Sequence, residues 1–219
     1  MNKSKPVIIL GSGGHASVLL DILLQQNVEI LAVVSPVAPD KNSTLAKYRY
    51  LSDDDDVFSY SSEDIELING VGFIPNNKAS KCSGYKQPRH KLFHYFKKHG
   101  YSFKTIISDF ALLSPSTQLE EGVQIMHGCI LQPGVKVKAN TIINTRTIVE
   151  HGCKIAKHNH IATGAIVCGD VTTEDYVFIG AGATVIQGLT LGESSVIAAG
   201  ALIRKNVAAG NRIYANKLK

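Results

Sequence analysis

The chain has 219 residues and a formal net charge of +5, with 23 Lys and Arg against 18 Asp and Glu. That length suits one domain or two small ones, and the aliphatic content supplies a core without disulfide staples. The mild positive balance suits a phosphate-bearing ligand. The basic residues form no block and few aromatic residues interleave with them, which argues against a nucleic-acid binder.

The first apolar run, Val7 to Leu10, is too short for a signal-peptide core or a bilayer span, so a cytoplasmic protein without a membrane partner is expected. Cys82, Cys129, Cys153 and Cys168 include no Cys-x-x-Cys pair and are expected as thiols. Pro6 to Leu10 predicts a buried strand, Gly11, Ser12, Gly13 and Gly14 a tight turn, and Ala16 to Gln25 a helix with Val18, Leu19, Ile22 and Leu23 at helical spacing. Glu29 to Val34 predicts a second strand, completing the opening unit of an α/β, Rossmann-like domain. Asp40 to Ser62 is polar. Its run Asp53 to Asp56 reads as a solvated loop, since it lacks the alternating spacing and glycine of a calcium loop. Glu66 to Ile74 predicts a strand and Pro88 to His99 a helix ended by Gly100. Tyr101 to Ile107 predicts the last strand of this domain. The domain boundary is placed near Asp109, giving domains 1–108 and 109–219.

From Leu113 to Ile203 every sixth residue is aliphatic, with Thr173 as the single lapse among sixteen positions. A period of six predicts an all-β hexapeptide parallel β-helix, three hexads making one coil of eighteen residues. The aliphatic residues point inward and stack on their equivalents eighteen residues away. Glycine recurs three residues later, at 122, 128, 134, 152, 164, 182, 188 and 200, and marks the corners. Cys129 and Cys153 share a phase that otherwise holds small or branched residues, so they read as packing residues. Thr173 reads as a core threonine.

Four histidines stand out on this regular surface: His127, His151, His158 and His160. His127 and His151 share a phase but lie 24 residues apart, one coil and one side, so they belong to different faces. Gly169 lies eighteen residues after His151 and stacks directly over it. A base beside an unobstructed backbone N–H is a workable acyl-transfer pair: the histidine takes a proton from the nucleophile and the glycine amide holds the developing oxyanion. His158 and His160 read equally well as idle surface residues. Arg89, ahead of the Leu92 helix, reads as a solvated charge or a functional one.

The segments 9–15 (Ile-Leu-Gly-Ser-Gly-Gly-His), 143–151 (Ile-Asn-Thr-Arg-Thr-Ile-Val-Glu-His) and 179–185 (Ile-Gly-Ala-Gly-Ala-Thr-Val) carry a resemblance over nearly the whole chain. The sequence resembles the sugar acyltransferases of the sialic acid O-acetyltransferase and bacillosamine N-acetyltransferase group. The resemblance implies a homotrimer of left-handed β-helices with active sites between neighbouring prisms and acetyl-CoA along the groove. It implies His151 as general base, Asn144 on the sugar, Gly169 donating to the thioester carbonyl, and His160, Ala181 and Ala199 lining the coenzyme. The turn formed by Gly11, Ser12, Gly13, Gly14 and His15 would hold the phosphates of a nucleotide-sugar at a helix N-terminus. No metal is expected. Three positions differ from the group. Gly152, in place of an acidic residue, follows the base, while Glu150 precedes it. Ser35 and Pro36 stand where aspartates usually follow the second strand, with Asp40 further on. Tyr214-Ala215-Asn216-Lys217 replaces a Gly-x-Pro-Ala-Lys motif.

The favoured activity is acetyl-CoA-dependent acetylation of an amino group on a nucleotide-linked sugar in bacterial surface-glycan synthesis. Sugar O-acetylation of the sialic acid kind is the alternative. A zinc hydrase of the γ-carbonic anhydrase kind would use the same β-helix, but the spacings 127, 151 and 160 do not match its histidine pattern. A scaffold that has lost catalysis is the third reading.

Overall fold

The structure, a computed structural model, describes residues 5–72 and 89–215. Phe73, Ile74, Cys82, Pro88, Asn216 and Lys217, which enter the expectations above, lie outside the described residues. Contacts divide the chain into two compact units, Met1–Lys104 and Thr105–Lys219. The division falls before Asp109 because Ile106–Ile107, expected as the end of the first domain, pairs in parallel with Gln124–Ile125 of the repeat. No helix of the described residues is long and apolar enough to cross a membrane.

The first unit is built on β1 (Val7–Leu10), α1 (Gly14–Gln25), β2 (Ile30–Val34), β3 (Arg49–Leu51), β4 (Glu66–Asn69) and α2 (Arg89–Lys98). Its parallel sheet has the order β3-β2-β1-β4. All four residues of β1 are buried, as suits the strand flanked by β2 and β4, and Leu19, Leu20, Ile22 and Leu23 bury the inner face of α1. Edge strand β3 lies in the stretch expected to be irregular. The aspartate run departs from expectation as well. Asp53 caps a short 3-10 helix, Asp54–Ser59, in a capping box with Asp56, so these carboxylates satisfy backbone donors. The Tyr95 hydroxyl donates to Asp55 at 2.5 Å, and that bond is the main cause pushing the phenol up to about 12. Helix α2 buries Leu92, Phe93 and Phe96. Lys97 and Lys98 sit in its last turn, where the helix dipole favours cations, and Gly100 follows at φ +84°.

The second unit is the expected left-handed parallel β-helix. Strands of two residues stack into three parallel sheets at a register of eighteen, except that Arg212–Ile213 pairs with Val196–Ile197 at sixteen. One side carries Lys136 and Lys154 outward, one carries His160 and Phe178, and one carries Leu112, Ile130, Ile148, Ile166, Thr184 and Leu202. Inward residues such as Ile125, Ile143, Val149, Ile161, Val167 and Ile179 are fully buried. All eight predicted corner glycines have φ between +64° and +77°. Cys129 and Cys153 are buried as expected, and burial pushes both thiols up to about 11. Thr173 also lies in the core and has a definite task there. Its hydroxyl accepts from the Ala156 amide at 3.1 Å and from Asn159 Nδ2 at 2.5 Å, holding a buried asparagine inside the prism.

Candidate functional site

Each coil of the prism places one residue just before each corner residue, and these form a column along each edge. Pro133, His151, Gly169 and Gln187 share one edge, the residues after them being Gly134, Gly152, Asp170 and Gly188. The stacking inferred from the count of eighteen is present. A Cβ added to Gly169 would lie 2.6 Å from Cε1 and 2.7 Å from Nε2 of His151. The imidazole therefore occupies the space that any side chain at 169 would need. The His151 side chain remains largely exposed, at 64%.

The departure at Gly152 has a structural counterpart that the sequence reading missed. Asp170 Oδ2 lies 3.9 Å from His151 Nδ1, and the Asp170 amide donates to the His151 carbonyl at 2.8 Å. A Cβ at Gly152 would stand 2.1 Å from Asp170 Oδ1, so the carboxylate fills the room the glycine leaves. Counting eighteen from Gly152 reaches Asp170, a step that the count from His151 to Gly169 already contained.

Asn144 follows Ile142–Ile143 on the side of His160 and Phe178, next to the edge where that side meets the apolar one. Its Nδ2 lies 3.2 Å from His160 Nε2, so two residues expected to meet different ligands touch each other. His160 is only 8% exposed and packs edge-on against Phe178. His158 is buried too, 2.9 Å from Asn140 Nδ2 and stacked on Tyr176, so the surface reading fails for both histidines. The cause for His158 is its corner position, which aims the ring into the column Asn140, His158, Tyr176. Ala181 and Ala199 are exposed and stacked one coil apart, with the Gly200 amide donating to the Ala181 carbonyl at 2.9 Å. Gly180 permits that approach, since a Cβ there would stand 2.4 Å from the Ala199 nitrogen. His127 shares their column, and its Nδ1 lies 2.7 Å from the buried Ser108 hydroxyl.

One side of the triangular coil separates the two sets. Thr145 and His151 are six residues of extended chain apart, roughly 20 Å. A single prism thus gathers His151, Gly169 and Asp170 at one edge, and Asn144, His160, Ala181 and Ala199 toward the other. No group of three or more His, Cys, Asp or Glu suited to a metal occurs among the described residues.

In the first unit, Gly11 adopts φ +105° and would carry a Cβ 3.1 Å from Gly70, so a side chain there would be strained and would crowd the backbone just after β4. Helix α1 starts at Gly14 with Gly13 as N-cap, no side chain capping it and no acidic residue in its first turn. A Cβ at Gly14 would meet nothing within 4 Å. Among the described residues no side chain caps the positive end of α1, a geometry suited to an anion. The Ser12 hydroxyl lies 2.9 Å from Ser35 Oγ and 3.0 Å from the Val37 carbonyl, tying the turn to the end of β2. Ser35 is fully buried, and the Asp40 carboxylate accepts from the Asn42 amide. Arg89, buried rather than solvated, donates to the carbonyls of Asn69 and Val71, and burial lowers it to about 9. It fastens the segment after β4 that packs against Gly11.

Residues 6–82 match the family model described as the PglD N-terminal domain. No curated protein matches the chain. Among solved structures, the acetyltransferase domain of PglB from Neisseria gonorrhoeae, in complex with acetyl coenzyme A, is 22% identical with a TM-score of 0.82, covering 96% of each chain. PerB from Caulobacter crescentus, in complex with CoA and GDP-perosamine, is 24% identical with a TM-score of 0.69, covering 96% of this chain and 94% of PerB. WeeI from Acinetobacter baumannii is 19% identical with a TM-score of 0.59, covering 97% of each chain. The likeness shows a shared fold, an α/β unit and a parallel β-helix in one chain.

Proposed function

We propose that this chain is an acetyl-CoA-dependent N-acetyltransferase acting on a nucleotide-linked amino sugar, with His151 as general base. The observation that carries the reading is the stacking of the His151 ring on Gly169, which leaves a base beside a backbone amide with no side chain in the way. The ligands named for similar folds support it: acetyl-CoA for the PglB domain, and CoA with GDP-perosamine for PerB. The sugar amine attacks the thioester carbonyl carbon, and its proton passes to His151 Nε2. The Gly169 amide donates to the oxyanion, the carbon–sulfur bond breaks, and the proton leaves with the thiolate as free CoA.

The N-terminus of α1, with Gly13, Gly14 and His15, is assigned to the phosphates of the nucleotide-sugar. Asn144 is assigned to the sugar, and His160, Ala181 and Ala199 to the coenzyme. Ser12 would act through the turn, since its hydroxyl is engaged at the end of β2. Because the two residue sets stand at opposite ends of one side, a complete site requires a neighbouring copy, and we propose a homotrimer. Leu112 at 67%, Ile166 at 37% and Leu202 at 50% exposure give that side an apolar stripe suited to self-association. The reaction is placed in the cytoplasm, in surface-glycan synthesis.

Titration calorimetry with acetyl-CoA, followed by mass spectrometry of a panel of amino nucleotide-sugars, tests the reading. Binding and a mass gain of one acetyl group on one acceptor are expected. Absence of binding at millimolar coenzyme would instead favour the scaffold reading, and acetylation of a hydroxyl alone would favour the O-acetyl branch.

A further inference from the structure

We propose that Asp170, supplied by the coil above the base, is the positioning acid that holds His151 in its working tautomer. This rests on the reading of His151 as general base. A neutral imidazole carries one N–H, and a base that accepts at Nε2 must carry it on Nδ1. Asp170 Oδ2 lies 3.9 Å from that Nδ1, and a small side-chain rotation brings the two to hydrogen-bond distance. Glu150, the carboxylate next to His151 in sequence, makes no such approach among the described residues. The bond between the Asp170 amide and the His151 carbonyl fixes the two backbones in register.

Two further observations point the same way. Asp170 has φ +59°, whereas Gly134, Gly152 and Gly188 of its column have +77°, +70° and +71°. Among the left-handed corners 134, 152, 170 and 188 it alone carries a side chain, and it stands one step after the glycine under which the base is stacked. The column also makes room for it, since Asp170 Oδ1 occupies the side-chain volume of Gly152. Gly152 is therefore the vacancy that admits a carboxylate from the coil above. Once His151 takes the acceptor's proton, the same carboxylate faces the imidazolium.

Asp170→Asn and Asp170→Gly separate this role from a structural one. Asn is well tolerated at positive φ, and Gly restores the residue found elsewhere in the column. We expect both full-length variants to melt at or above the wild-type temperature. We expect kcat to fall at least about tenfold in each, with KM for acetyl-CoA and for the sugar within about threefold of wild type. Activity within twofold of wild type in both variants, or a loss confined to KM, would overturn the assignment. A readout independent of turnover is the long-range ¹H–¹⁵N spectrum of histidine-labelled protein. We expect an Nδ1–H tautomer for His151 that moves toward Nε2–H in Asp170→Asn. Identical ring signals in the two proteins would overturn the pairing. An inactive wild type that still shows the tautomer change would retain the pairing and reject the acetyltransferase reading.

Discussion

The two edges that bound the apolar side of the prism each depend on a glycine, for different physical reasons. At one edge a Cβ on Gly169 would strike the exposed ring of His151. At the other, a Cβ on Gly180 would strike backbone of the next coil, 2.4 Å from the Ala199 nitrogen and 2.6 Å from the Ala198 carbonyl carbon. A ring at the surface swings aside at small cost, whereas a coil held at both ends does not. The first glycine leaves room for the ring of the proposed base, and the second protects the stacking of the fold.

Substitution breaks this comparison most sharply at Gly169. Gly169→Ala should lower kcat by about a hundredfold, the scale of misplacing a catalytic group by about 1 Å, while the melting temperature stays within error. Gly180→Ala should do the reverse. Overpacking against backbone should cost about 1–3 kcal/mol in denaturant unfolding, and kcat of the folded fraction should change less than at Gly169. Thr173→Val keeps the shape of the core but removes the acceptor used by the Ala156 amide and Asn159. A loss of about 1–2 kcal/mol is expected, with kinetics unaltered.

The smallest effect concerns pH. Cys129 and Cys153 are raised to about 11 by burial, so the folded state keeps both protons where unfolded thiols, with an ordinary value of 9.0, lose theirs. The folded state then binds more protons, and stability falls as pH rises from about 9 toward about 11. Unfolding midpoints at pH 8 and pH 10 should separate more for wild type than for Cys129→Ala/Cys153→Ala.

The repeat was legible because its period is unbroken. Inward stacking, the corner glycines and the contact of Gly169 with His151 all follow from counting in sixes and eighteens. Counting back one more hexad from Leu113 reaches Ile107, in phase with the repeat that 106–107 joins by pairing with 124–125. The approach of Asp170 to His151 is hidden in the sequence because the coil brings together residues nineteen apart, whereas the acidic neighbour of His151 in sequence is Glu150. The burial of His158 and His160 is not legible because periodicity gives the face of a residue but not what leans over it. In the first unit β3 is three residues long and two of them are exposed, which leaves no pattern to read. The capping box of Asp53 and Asp56 carries the right spacing, but its acidic surroundings suggested solvent instead.

The central claim is that a base at the His151 edge moves an acetyl group from coenzyme A to an amino sugar. Its most direct test is the rate of free CoA release from acetyl-CoA, with and without a 4-amino nucleotide-sugar, for wild type and His151→Ala. The account predicts sugar-dependent release by wild type and a fall of about 10²–10⁴-fold in the variant, with its oligomeric state unchanged. Undiminished release by His151→Ala would contradict it.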